Sequence, residues 1–274
     1  MHNLEGRVAV ITGAASGLGL AMAQRFAAEG MHLVLADVNG EALADAAHTL
    51  GAAGTTVTTM QADVSDAGDV GRLADLSFEA HGEVAVLCNN AGVTKRARSW
   101  DLTVEDWLWV LSVDLLSVAY GIRAFVPRLL RQGSPAHIVN TASMTGLLPL
   151  MDVAAYAAAK SAVVALSECL ALELADEGAP IGVSVLAPGY IATNIAANSR
   201  DGAAALAATA PSNRPRSTTS LRPTMSADDV ATHVLDAVHQ NRFWILTHQD
   251  YRPLIVERAQ SIGGDGQPRG FPVF

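Results

Sequence analysis

Arg7–Gly19 reads RVAVITGAASGLG, and the reading of this stretch decides the fold. A β-branched, apolar run ends in a glycine turn. It leads at once into a helical pattern in which Leu18, Met22 and Phe26 recur every four residues, with Gly30 placed as terminator. The glycines Gly13, Gly17 and Gly19 have the spacing G-x-x-x-G-x-G. Strand, glycine turn, helix is an arrangement that lets backbone approach a pyrophosphate and aims the free N–H groups of a helix N-terminus at its charge. Ser16 and Leu18 fall inside the turn and join the expected contacts, and Gly19 lets the helix pack closely on the strand. The plain alternative is a flexible turn.

Outward from this unit the same alternation continues. Strand-like runs stand at 7–12, 32–37, 55–63, 84–89, 137–142, 182–188 and 243–248, separated by helical patterns. They are almost continuously hydrophobic, as expected of strands buried on both faces of a parallel sheet. Thr103 with Asp106, and Ser226 with Asp229, have capping-box spacing. The pattern predicts an α/β fold: one domain over 1–274 with a doubly wound parallel sheet of about seven strands and helices on both faces. Residues 190–225, rich in Ala, Ser, Arg and Pro, interrupt the rhythm and are read as a substrate-binding loop. The Gly/Pro-rich tail 261–274 is read as irregular, frayed or packed on a neighbouring subunit.

Half of the 274 residues are hydrophobic and 16% are charged, so a large core is available. The net charge of −9 argues against nonspecific nucleic-acid binding. No uninterrupted apolar run nears the ~18 residues that span a bilayer, and no membrane association is expected. The first residues run straight into a strand and leave no room for a signal peptide. Cys88 and Cys169, each in an apolar segment, read as buried thiols in a reducing, cytoplasmic compartment. The eight histidines show no metal-ligand spacing, and no metal is expected.

Asp37 ends the second strand, where a carboxylate accepts ribose hydroxyls and repels a 2′-phosphate. Its neighbours, Ala36 and Val38, carry no positive charge, so NAD is expected over NADP; alternatively Asp37 only begins the turn DVNG. Asp63 ends the third strand in the same way. It could accept a hydrogen bond from an adenine amino group, with Val64 beside it, or cap the following helix.

Further motifs follow in order: NNAG (Asn89–Gly92), HIVNTAS ending in Ser143, YAAAK (Tyr156–Lys160) and LAPGYIAT (Leu186–Thr193). Together with TGAASGLG they resemble the short-chain dehydrogenase/reductase family over roughly residues 5–250. The resemblance implies a Rossmann-type fold, a nicotinamide cofactor, a Ser143–Tyr156–Lys160 catalytic group acting on a small-molecule substrate, and a homodimer or homotetramer. It also implies cofactor contacts from Asn90, Ala91 and Gly92, and from Pro188, Gly189, Ile191 and Thr193. Where the family commonly has an asparagine in the helix after the fourth strand, helping hold a water in a proton relay from the lysine, this chain has Asp114, which joins the expected catalytic residues or is simply a buried or helix-polar aspartate. The aspartate keeps hydrogen-bond acceptors, loses the amide donor and brings charge.

An alcohol that gives hydride to NAD⁺ must also lose its hydroxyl proton. Tyrosine, ordinarily titrating near 10, is a poor base until a neighbouring cation favours the phenolate. Tyr156 and Lys160, at i and i+4, share one helix face, so Lys160 is expected to lower the Tyr156 pKa and to hold the nicotinamide ribose. Ser143 would donate to the substrate oxygen. In a purely structural reading the three are a core tyrosine, a surface lysine and a helix cap. Met144, Leu147, Leu148 and Met151 are expected to form an apolar pocket for a bulky hydrophobic or aromatic secondary alcohol or ketone. Thr145, Tyr190 and Asn194 are further substrate contacts. The cluster TKRARSW (Thr94–Trp100) is either a solvated loop or an attractor for a carboxylate. The competing reading of the whole chain is a non-catalytic dinucleotide-binding sensor or scaffold.

Overall fold

Alternating strands and helices wind in two directions from one central strand, in a computed structural model that describes residues 1, 3–191, 225–264 and 266–268. The strands are β1 (Val8–Thr12), β2 (His32–Asp37), β3 (Val57–Gln61), β4 (Val86–Asn89), β5 (Ala136–Thr141), β6 (Ile181–Ala187) and β7 (Trp244–Leu246). They form one seven-stranded sheet in the order β3-β2-β1-β4-β5-β6-β7. Each neighbouring pair runs parallel. The helices are α1 (Gly17–Ala28), α2 (Gly40–Ala52), α3 (Ala67–His81), α4 (Val104–Leu111), α5 (Ser117–Gln132), α6 (Met144–Leu147), α7 (Ala154–Asp176), α8 (Ala227–Gln240) and α9 (Arg252–Gly263). A π-helical turn, Ser112–Leu116, joins α4 to α5. The chain leaves β1 in one direction and returns to β4 on its other side. The C-terminal ends of β1 and β4 therefore flank the crevice where such sheets bind ligands.

Two apolar layers hold the sheet. Ala9 and Ile11 of β1 pack with Met22, Phe26, Leu43 and Val234 from α1, α2 and α8. Val8 and Val10 pack on the opposite face with Leu73, Phe125 and Leu170 from α3, α5 and α7. Alternate residues of one strand thus serve opposite layers, which is why the run is continuously apolar. The edge strands differ from expectation. β3 is shorter than 55–63 and only partly buried, and Trp244 of β7 is 38% exposed, because an edge strand lacks a neighbour on one side. Both capping boxes form as expected, Thr103 with Asp106 and Ser226 with Asp229.

Three expectations need correction. Cys88 is buried in β4, and burial pushes its thiol pKa up, but Cys169 is exposed. Cys169 lies on α7 near Leu172, itself 72% exposed, so apolar neighbours in sequence did not mean burial. The stretches Val104–Gln132 and Ala154–Asp176, with mean hydropathy 1.5 and 1.4, are long and apolar enough by composition to cross a membrane. Here they lie against the sheet and put Phe125, Leu129, Leu170 and Leu174 into its core. Finally, α9 extends through Gly263, so the last helical turn occupies residues expected to be irregular. Beyond it, Gly266 N–H donates to Ser261 O at 2.7 Å, which turns the described tail back on its own helix.

Candidate active site

The glycine turn forms the floor of the crevice. Gly13 has φ +64° and Gly17 φ +55°, both in the left-handed region. A Cβ on Gly13 would fall 2.8 Å from Ala91 Cα, so β1 and the NNAG loop touch only because that atom is missing. Gly19 does not line the crevice; a Cβ there would collide with the Gly13 carbonyl, so its role is the close packing of α1 on the turn. Ser16 is the N-cap of α1 but makes no side-chain cap bond, leaving the first-turn N–H groups to a ligand. The Asp37 carboxylate is held by two backbone donors, Ala15 N–H and Asn39 N–H, each at 2.9 Å. Asp63 accepts from Ser65 N–H and Oγ–H, at 2.9 and 2.7 Å. The helix cap that Asp63 was an alternative for belongs instead to Asp66.

The NNAG loop is fastened by Thr12, which the sequence reading did not single out. Its Oγ1 accepts from Asn90 N–H at 2.9 Å and Ala91 N–H at 3.2 Å, and its carbonyl accepts from Asn90 Nδ2 at 3.0 Å. Beneath it, Asn89 Nδ2 donates to Asn140 Oδ1 at 2.9 Å, and Asn140 Nδ2 to Ser167 Oγ at 3.0 Å. This buried chain ties β4, β5 and α7 together under the cleft.

Ser143, Tyr156 and Lys160 converge at the C-terminal ends of β4 and β5. Ser143 caps α6, and its Oγ accepts from Thr145 N–H at 3.2 Å and Thr145 Oγ1–H at 2.7 Å. With those lone pairs occupied, its single proton is free to point elsewhere, and the nearby Ser143 hydroxyl favours the Tyr156 phenolate. Lys160 is 2% exposed; its Nζ donates to Thr141 O at 2.9 Å, lies 3.1 Å from Asp114 Oδ1, and stands 5.6 Å from the Tyr156 ring centre. Asp114 sits in the π-helical turn, fully buried, with Oδ1 also accepting from Val93 N–H at 3.1 Å. Burial pushes its pKa up against the pull of Lys160.

The Tyr156 pKa departs from expectation. Burial pushes it up from 10, Asp114 adds to the rise, and Lys160 and the Ser143 hydrogen bond offset only part of it. The lysine does act in the expected direction, but loss of water from the phenolate outweighs it.

The residues surround an open cleft of about 1880 Å³. One drug-sized ligand occupies at most ~1,000 Å³, so there is room for a dinucleotide and a substrate together. Gly13, Ser16, Gly17, Leu18, Asp37, Asp63, Val64, Asn90, Ala91, Gly92, Pro188, Gly189 and Ile191 line it, as do Ser143, Thr145, Tyr156, Lys160 and Tyr190. Asp114 does not; it lies behind Lys160. Thr193, Asn194 and most of the 190–225 segment lie outside the described residues, but its ends meet in a bridge between Ile191 and Met225.

Comparison with known proteins agrees with this geometry. The short chain dehydrogenase family model matches residues 7–204. The chain belongs to the short-chain dehydrogenase family. It is 40% identical over 254 residues to 1-deoxy-11-beta-hydroxypentalenate dehydrogenase of Streptomyces exfoliatus, covering 92% of this chain and 86% of that protein. It is 31% identical to the CLA biosynthesis dehydrogenase/reductase of Lactiplantibacillus plantarum, with 98% and 97% covered. The crystal structure of a short chain dehydrogenase/reductase from Burkholderia phymatum in complex with NAD superposes with a TM-score of 0.89 at 38% identity, each chain covered in full.

This short-chain dehydrogenase is therefore an NAD(P)-dependent alcohol dehydrogenase/ketone reductase. The cradle at Gly13, the uncapped start of α1 and the held Asp37 carboxylate fit a nicotinamide dinucleotide. At the other end of the cleft the walls differ in part from expectation. Met144 and Met151 line it, but Leu147 and Leu148 do not; Leu148 packs into a core cluster with Tyr251, and Pro149 and Leu150 take their place. Leu108 and Trp109 of α4 and Pro268 of the tail complete the wall. No sequence signal marks these, because they reach the cleft from distant elements. The basic cluster divides: Lys95 pairs with Asp106 at 3.6 Å and Arg98 with Asp152 at 3.2 Å, whereas Arg96 lines the cleft with no ion pair among the described residues.

Proposed function

We propose that this short-chain dehydrogenase uses NAD to oxidise a secondary alcohol on a bulky apolar skeleton, and reduces the corresponding ketone in reverse. The observation that carries the reading is the convergence of Ser143, Tyr156 and Lys160 at one end of a cleft whose other end presents Asp37. Around Asp37 the described lining (Ser16, Val38, Asn39, Asp63, Val64, Ser65) contains no Lys or Arg to accept a 2′-phosphate.

When bound, the nicotinamide supplies the hydride acceptor or donor. The chain's own residues handle the oxygen and its proton. Ser143, its lone pairs occupied by Thr145, donates to the substrate oxygen and orients it. Tyr156 takes the hydroxyl proton in oxidation and returns it in reduction. Lys160, anchored on Thr141 O, favours the phenolate and would hold the ribose hydroxyls of the bound cofactor. Asn90 and Gly92 would support the cofactor from beneath, and the Ile191 backbone would be available to its carboxamide, with the Thr193 hydroxyl as the further contact expected from sequence.

The wall of Leu108, Trp109, Met144, Leu150 and Met151 supports an apolar substrate. One observation favours a narrower reading, in which the substrate also carries a carboxylate. Arg96 lines the cleft with no ion pair among the described residues, and the Streptomyces relative is named for a hydroxylated carboxylate. Glu105 lines the same cleft, so Arg96 acts locally and not through a broad positive field.

The experiment is turnover with NAD⁺ and NADP⁺ on a panel of bulky secondary alcohols, paired as neutral and carboxylate-bearing. NADH formation with a lower KM for NAD⁺ is expected, and a several-fold KM increase for the carboxylate members in Arg96→Ala. Preference for NADP⁺ would overturn the role of Asp37. Intact NADH binding without any turnover would favour a dinucleotide sensor or scaffold, and conversion without net NADH an isomerase or dehydratase. We further propose a cytoplasmic homodimer or homotetramer. The outward faces of α5 and α7, with Leu130 and Leu172 exposed, are the natural contact, and mass measurement in solution tests it.

A further inference from the structure

We propose that Asp114 is the counter-charge of Lys160 and so a positioning residue for the acid–base step: this buried pair, not the lysine alone, sets the pH range in which Tyr156 exchanges its proton. The proposal rests on the dehydrogenase reading above. Its basis is geometric. Asp114 is 0% exposed and does not line the cleft, so it acts only through what it touches. Its Oδ1 lies 3.1 Å from Lys160 Nζ and accepts from Val93 N–H. Gly92 permits that approach, since a Cβ there would fall 2.7 Å from Oδ1 and 3.5 Å from Nζ. The π-helical turn Ser112–Leu116 carries Asp114, and such turns recur at functional positions.

A neutral amide oxygen would satisfy Lys160 and Val93 equally well as a hydrogen-bond acceptor. What the aspartate adds is charge, together with a second oxygen. Asp114 Oδ2 is buried and has no hydrogen-bond partner among the described residues. A carboxylate oxygen in that state is costly, and the ammonium beside it favours the ionised form against the burial that disfavours it. The charged or titratable groups facing the pair are few. Among the described residues, Lys160 and Tyr156 come from α7, the loop after β4 offers the Val93 N–H, and no other charge acts on Asp114. Tyr156 in turn is acted on by Lys160, Asp114 and the Ser143 hydroxyl.

The signs follow. Lys160, 5.6 Å from the Tyr156 ring centre, favours the phenolate by charge attraction. Asp114 cancels part of that pull. Removing its charge while keeping its shape frees the lysine to act on the phenol, so the Tyr156 titration moves to lower pH.

The test is Asp114→Asn, read by pH profiles of kcat and kcat/KM for alcohol oxidation and by tyrosinate absorbance of the NADH-bound protein, with Tyr156→Phe subtracted. The rising limb of oxidation and the tyrosinate titration are both expected to shift downward by about one pH unit. If the asparagine variant folds poorly, Asp114→Ser removes the same charge and carries the same expectation. A lower kcat at every pH with an unmoved limb means a merely structural role and overturns the proposal, as does an upward shift. If no alcohol is turned over, the dehydrogenase reading fails by itself. The absorbance titration then still decides the pair: a downward shift upholds it and an unmoved one rejects it.

Discussion

Replacing Lys160 by Met removes the partner of a carboxylate that has nowhere else to turn. Among the described residues Asp114 is 0% exposed, its Oδ2 has no partner, and its Oδ1 would keep only the Val93 N–H. Breaking a buried pair in this way costs about 3–5 kcal/mol. A second route gives a similar figure. Instead of staying charged, Asp114 can hold a proton at pH 7, some three units above its ordinary value of 3.8, at ~1.4 kcal/mol per unit. For a chain of this size the loss corresponds to a fall in Tm of roughly 6–20 °C. It also has a pH signature. The unfolded chain ionises Asp114 first while the folded variant keeps the proton, so stability falls as pH rises above about 4 and the deficit shrinks on acidification. Changing both residues, Lys160→Met with Asp114→Leu, deletes the stranded charge and restores more than half of the loss. The remainder reflects the Val93 N–H and the Thr141 carbonyl left without partners, about 1 kcal/mol each. The assay is thermal and denaturant unfolding of wild type, both single variants and the double variant between pH 5 and 8. Additive losses in the double variant, or a Lys160→Met deficit that grows on acidification, would refute the reasoning.

Two further outcomes follow from the geometry. Gly13→Ala forces a side chain into φ +64° and 2.8 Å from Ala91 Cα, so NADH affinity falls at least about tenfold with a stability loss of about 1–2 kcal/mol; unchanged affinity in a fluorescence titration would contradict the cradle. Thr103→Ala opens the capping box at the start of α4, whose Leu108 and Trp109 line the cleft. It lowers stability by about 1 kcal/mol, and an unfolding midpoint equal to wild type counts against that cap.

The sheet was legible because buried parallel strands must be apolar on both faces, and β1, β2, β4, β5 and β6 advertise that directly. The edges were less so: β3 carries Thr58, Thr59 and Gln61 beside Val57 and Met60 because one side meets solvent, and the reading ran two residues past each end. The glycine turn was readable because positive φ and close approach both demand glycine. The facing of helix residues was not. Cys169 lies in an apolar run yet points outward, and the run alone does not say which side meets the sheet. The site was legible as chemistry at i and i+4 on α7, but its energetics were not. Asp114 and Lys160 are 46 positions apart, and only the fold brings their charges to 3.1 Å. For the same reason the lowered tyrosine pKa expected from Lys160 proved incomplete; burial of the phenol has no signature in sequence. The π-helical turn left no local signal, since Ser112–Leu116 has the composition of ordinary helix.

The central claim is that Tyr156 carries the proton while other residues hold the dinucleotide. Its most direct measurement compares wild type with Tyr156→Phe for NAD⁺-dependent oxidation of the best alcohol, with NADH affinity measured on the same samples. A fall in kcat of at least ~10²-fold is expected, with Kd for NADH essentially unchanged. A phenylalanine variant that turns over at the wild-type rate would contradict it.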